Sequence, residues 1–140
     1  MPMSELNAFL GIKKKKKYEQ VALKAMNKIE SNNETPIIAW EKASIELLGR
    51  GTTSQKKCCP KNFFLGLCEI GKIEGIPKGH YLIKSKSKEK YYAIKALDIL
   101  NKEKSLLENK KNLWKEITVR KHNGQLDVFF ALYENGYIRL

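Results

Sequence analysis

The chain of 140 residues is short of the residues on which most recognisable chemistry rests: it has two histidines, three cysteines, and only three arginines among 27 basic residues. The cysteines Cys58, Cys59 and Cys68 are odd in number and two are adjacent, and vicinal cysteines rarely pair with each other, which excludes a secreted disulfide framework. With His80 they form neither C-x-x-C nor H-x-x-x-H spacing, so no metal site is expected, and nothing in the sequence implies a cofactor. Long hydrophobic runs are absent too, which excludes a helical membrane span. The early apolar patch at Leu6, Phe9 and Leu10 holds Glu5 and precedes its lysines, the reverse order of a signal peptide. These absences together point to a reducing cytoplasm.

What is abundant is lysine. The net charge is +12, with 15 acidic residues against the 27 basic ones. Clustered cations gain counterion-release entropy on a polyanion, so non-specific binding to nucleic acid is one reading. Lysine, however, is a hydrated point charge, whereas arginine grips phosphate and guanine bidentately, and only Arg50, Arg120 and Arg139 are present. A solvated, composition-driven lysine surface is the competing reading. The run Lys13 to Lys17 beside the apolar patch could touch an anionic membrane, but a solvated linker or helix start explains it as well and a membrane partner is not expected.

Hydrophobic residues at 42% and charged residues at 30% fit one soluble globular domain. Residues 1–17 read as an N-terminal polybasic segment, with Ser4 a candidate cap and Gly11 a stop, and 18–140 as a single helical domain. Tyr18, Val21, Ala22, Ala25, Met26 and Ile29 make one apolar stripe of helical period. Thr35-Pro36 reads as the cap and first residue of a second helix, which carries Ile37, Trp40, Leu47 and Leu48 and closes at Gly49. A cationic Gly- and Thr-rich stretch leads to a third helix expected to begin at Pro60 and end at Gly71. Residues 72–88, punctuated by Gly75, Pro77 and Gly79, predict an extended connector or small hairpin. Tyr92 to Leu100, Leu113 to Ile117 and Leu126 to Glu134 then read as three more helices.

The two sets of three helices resemble each other. Ala22 to Met26 matches Ala93 to Leu97, and Trp40 matches Trp114. Phe63 to Ile73 aligns without a gap on Val128 to Ile138, with Phe64/Phe129, Leu67/Leu132, Glu69/Glu134, Gly71/Gly136 and Ile73/Ile138 identical. An internal duplication is expected, repeat one at 18–76 and repeat two at 88–140. The third and sixth helices are apolar nearly all round, so each must be buried between others. The predicted fold class is therefore all-α: two tandem three-helix units packed as one pseudo-two-fold domain. Glu69 and Glu134, present in both units, fit structural contacts better than catalysis.

The largest departure from the repeat is the linker from Gly49 to Pro60, longer than its counterpart at Lys121 to Gly124. Its hydroxyls, lysines and helix-start amides suit an anion, although the order of a P-loop is absent. Ser54-Gln55-Lys56-Lys57 also has the Ser-x-x-Lys spacing of some acyl-transfer nucleophiles, without the companion motifs. Cys59 at a helix start beside Lys57 and Lys61 is expected to have a lowered thiol pKa. A nucleophile there would still need His80 or His122, and a packed small side chain is the plainer reading. The fifth helix, the turn at His122 to Gly124 and the sixth helix outline a helix-turn-helix, yet Phe129, Phe130, Leu132 and Tyr133 belong in a core and not in a major groove.

The segments SQKKCCPKNFFLGLCEIG and WKEI…HNGQLDVFFALYENG resemble a family of short bacterial proteins of unknown function, over most of Tyr18 to Ile138. The matching positions are Ser54-Gln55-Lys56 with Cys59-Pro60-Lys61, and Asn123, Gln125 and Asp127; the cysteine pair departs from the single cysteine of that pattern. The resemblance implies two loops as candidate sites and no activity. The leading expectation is a binding protein for an anionic ligand such as nucleic acid or a nucleotide. Its candidate residues are Arg50, Ser54, Gln55, Lys56, Lys57, Cys59, Lys61 and Asn62 on one loop, with His122, Asn123, Gln125 and Asp127 on the other. The alternatives are a small enzyme using Cys59 or Ser54 as nucleophile, and an interaction module without a catalytic site.

Overall fold

Caps and apolar stripes turn into helices largely where the sequence places them. The computed structural model describes residues 16–82 and 87–140; the expected polybasic segment lies outside the described residues except for Lys16 and Lys17. Helix α1 (Lys17–Asn32) buries Tyr18, Val21, Ala22, Ala25 and Met26, and Asn33 stops it in the left-handed conformation. Helix α2 (Pro36–Leu48) starts with Thr35 accepting a hydrogen bond from the Ile38 N–H and has proline in its first turn, where a missing N–H costs nothing.

The linker beyond α2 is not an open loop. Thr52 caps a four-residue helix α3 (Thr53–Lys56) by accepting from the Gln55 N–H at 3.2 Å. Helix α4 (Cys58–Glu69) follows at once, two residues before the proline at which it was expected to begin. Pro60 still sits in the first turn, where the ring clashes with no preceding helical carbonyl. Helix α5 (Lys88–Lys102) starts at a Ser87 cap, and a 3-10 helix (Lys104–Glu108) that the apolar spacing did not announce joins it to α6 (Lys110–Ile117). Helix α7 (Gln125–Glu134) completes the set, with Gly124 at its N-cap.

The fold is all-α. Helices α4 and α7 are the buried pair, each with eight buried residues. Helix α7 packs on α1 and α4, and α4 packs on α5 and α7, while α1 lies on α2 and α5 on α6. The pattern is close to reciprocal on exchanging α1, α2, α4 for α5, α6, α7, but not fully so, because α2 packs on α4 more than α6 does on α7. Trp40 and Trp114 are both buried, as are Phe64 and Phe129, and the Trp40 ring packs tilted by 31° against Phe64 at 5.2 Å between ring centroids. Because α7 is covered by α1 and α4, it has no face to offer a DNA groove.

Where α4 and α7 exit, Ile73 and Ile138 form an isolated antiparallel bridge, supported by the Glu74 N–H donating to the Tyr137 carbonyl at 2.8 Å. The described part of the 72–88 connector is non-helical up to Ser87, where α5 is capped, and shows this bridge and not a hairpin. Glu69 anchors it. Its buried carboxylate accepts from the Leu82 and Tyr81 N–H groups at 2.6 and 3.1 Å and from Lys90 at 2.8 Å. Burial alone would raise the Glu69 pKa, but Lys90 and the two amides together hold it below the ordinary carboxylate range. Its aligned partner Glu134 is exposed, so the structural role expected of both acids is seen for Glu69.

Candidate functional site

The packing of α1 against α7 brings three distant stretches of chain together. The start of α1, the short α3 and the turn before α7 enclose one pocket of about 550 Å³. Lys16, Lys17 and Tyr18 form one wall, Thr53, Ser54 and Lys57 a second, and Lys121 to Gly124 with Asp127 the third. The two loops singled out in the sequence thus meet in a single cavity.

Each loop is fastened from beneath by a buried glutamine. Gln55 accepts from the Gly51 N–H at 3.2 Å and donates to Ser44 Oγ at 3.1 Å. Gln125 accepts from the Asn123 N–H at 2.7 Å and donates to Glu89 Oε1 at 3.1 Å. Their amides are spent on the scaffold, so these two residues shape the site and do not face it. Tyr18 ties the first loop to α1 through a 2.9 Å hydrogen bond to the Ser54 carbonyl. Its ring packs against Gly124, where a Cβ would come within 2.6 Å of the ring at a backbone φ of +89°. Only glycine tolerates both the conformation and the close approach.

Of the expected site residues, Ser54, Lys57, His122, Asn123 and Asp127 line the pocket. Arg50, Gln55, Lys56, Cys59, Lys61, Asn62 and Gln125 do not. The reason is the unforeseen α3 and the early start of α4, which make the linker helical, so successive residues fan out instead of sharing a face. Lys56 is exposed beside the pocket wall, and Lys61 is turned towards α2, 3.8 Å from Glu41.

The expectation for Cys59 is reversed. Burial, then the nearby Glu89 carboxylate and Cys58, push its thiol up, and Lys57 offsets little of this. All three cysteines are free thiols. At the serine, Ser54 Oγ receives a hydrogen bond from Lys17 at 3.0 Å, and His122 spends its Nε2 accepting the Leu126 N–H at 3.0 Å. Among the described residues no group of three or more His, Cys, Asp or Glu side chains could hold a metal ion, and no helix is long and apolar enough to cross a membrane.

A second pocket of about 350 Å³ adjoins the first and shares Lys16, Lys121, His122 and Asp127 with it. Its outer wall is α6 and the turn after it, with Lys110, Lys111, Lys115 and Arg120 around the edge of the buried Trp114. Together the pockets carry eight cationic side chains, four in each once shared residues are counted with the first, and a single carboxylate, Asp127. The α6 cations were missed in the sequence. Lys111 and Lys115 stand four residues apart on one helical face, a signal that was present but lost in the general excess of lysine.

The histidine is held neutral by its surroundings. Burial lowers the His122 pKa and outweighs the upward pull of Asp127, with Lys16 and Lys110 acting in the same direction as burial. The ring also packs edge-on against Trp114 at 5.1 Å. Residues 15–139 match a family of unknown function (DUF6979). No curated protein and no solved structure shows significant similarity to the chain.

Proposed function

The chain belongs to that family of unknown function, and we propose from its own geometry that it is a binding protein for a phosphate-bearing ligand, a nucleotide or nucleic acid, held in the two adjoining pockets. The observation that carries this reading is the convergence of eight cations on one groove that holds one carboxylate. Like charges repel, so such a cluster is costly in the empty protein and is relieved by a bound polyanion, which also releases counterions. The sequence match of the two halves and their near-reciprocal packing support reading them as a duplication in which the α3 linker and the turn before α7 are equivalent. A groove built by lysines and fixed loops suits recognition of phosphate rather than of base edges. A reducing, cytoplasmic setting is part of the same proposal.

Retention of a fluorescent single-stranded oligonucleotide, measured between 50 and about 200 mM salt, tests the reading. Affinity is expected to fall steeply with salt, and the double variant Lys57→Ala/Lys121→Ala to lose about tenfold or more at low salt with a flatter salt slope. Lys102→Ala, a cation lining neither pocket, is expected to change little. Absence of binding at low salt, or equal losses from both variants, would overturn the proposal.

A further inference from the structure

The cations of the groove are not all equally free. Asp127 lines both pockets, and its buried Oδ1 lies 3.8 Å from the ammonium groups of Lys16 and of Lys110. Lys110 also stands 3.9 Å from a Glu19 carboxylate oxygen. Two ammonium groups and two carboxylates therefore balance one another, and this cluster at the join of the pockets is neutral as a whole. The other six cations are arranged around it. Lys17 and Lys57 line only the first pocket, Lys111, Lys115 and Arg120 only the second, and Lys121 lines both. All six are exposed, and none is ion-paired with a carboxylate among the described residues.

That division selects among phosphate ligands. A single phosphate, or two that share a bridging oxygen, can be held in one pocket and leaves the cations of the other unmatched. A nucleic-acid strand carries its phosphates one nucleotide apart, so two of them can lie on the two sets of cations while the uncharged sugar between them crosses the neutral cluster. The two aromatic rings of the groove, Tyr18 and Trp114, are only 6% and 7% exposed and present no open face on which a base could stack. The first pocket is walled on three sides, which suits the edge of one strand and not the convex surface of a duplex. We propose that the groove binds a single nucleic-acid strand through two consecutive phosphates, one in each pocket, without regard to base sequence.

This inference rests on the phosphate-binding reading above and narrows it, and the test separates the two. Calorimetric titration of the full chain at low salt and pH 8 compares thymidine diphosphate with the 5′-phosphorylated dinucleotide pTpT. Both carry the same formal charge when fully ionised, and they differ in whether the phosphates are adjacent or one nucleotide apart. The dinucleotide is expected to bind about tenfold more tightly, because its second phosphate is tethered to the first. Lys17→Ala/Lys57→Ala and Lys111→Ala/Lys115→Ala, each with unchanged helical circular dichroism, are both expected to cut that preference to about twofold or less. Equal binding of the two ligands by the wild-type protein overturns the proposal, as does a preference that survives in either variant. Tighter binding of a twelve-base-pair dA·dT duplex than of its thymidylate strand overturns it too. In each of these cases salt-sensitive phosphate binding that depends on Lys57 and Lys121 leaves the broader reading standing, whereas no binding of any of these ligands overturns both.

Discussion

His122 links the stability of the site to pH through one hydrogen bond. Its Nε2 can accept the Leu126 N–H only while that nitrogen is unprotonated, and this bond satisfies one of the open amides in the first turn of α7. Burial holds the folded-state pKa below the ordinary histidine value. A depressed pKa means that the unfolded chain binds the proton first, so this stabilisation is complete above about pH 6.5 and is lost as pH falls from there through the folded value. Urea unfolding followed from pH 7.5 downwards should show the midpoint dropping across that window. His122→Phe should remove the dependence, at a cost of about 0.5–1.5 kcal/mol at neutral pH. A wild-type midpoint that stays flat below pH 6.5 would show the ring to be unconstrained.

At the scale of elements, the contact of α4 with α5 is closer than helix propensity would advise. A Cβ on Gly66 would lie 2.8 Å from the Lys90 Cα. In an exposed helix interior, Gly→Ala stabilises by about 0.5–1 kcal/mol. Here backbone stands against backbone, so the helices must separate, and overpacking of this kind costs about 1–3 kcal/mol. The steric term is the larger, and Gly66→Ala is expected to destabilise in chemical denaturation; a stabilised variant would mean that the helices slide apart freely. Separation would also disturb the hydrogen bond from Lys90 to Glu69 that anchors the connector. The aligned position in α7 is Ala131, which already carries its Cβ, so the two crossings differ in this detail.

The whole molecule is organised about α4 and α7 and the bridge that closes them. Ile73 and Ile138, the last aligned pair of the two halves, face each other directly and are 2% and 4% exposed. Ile73→Ala and Ile138→Ala are each expected to cost about 2–4 kcal/mol. The double variant should cost less than the sum by about 0.5 kcal/mol or more, because the second substitution removes a contact already lost. Additive losses in equilibrium unfolding would show that the two ends are held separately.

The sequence by itself determined six of the helices and their burial, but not the short α3 or the 3-10 helix. The stripe from Tyr18 to Met26, the Thr35-Pro36 start and the aromatic third and sixth helices are dictated by near neighbours in the chain, and local periodicity reports near neighbours. What only the tertiary structure decided is which polar residues share a cavity. Lys16 and Lys17, Lys57 and Lys121 are brought to one pocket by the way α1 lies on α7, and no spacing along the chain encodes that angle. The same packing buried Glu69 and left Glu134 exposed, and set Cys59 beside Glu89, raising a thiol whose sequence neighbours alone would have lowered it. It also enclosed Asp127 Oδ1 without a donor, because desolvation and charge act through space on whatever the fold brings near.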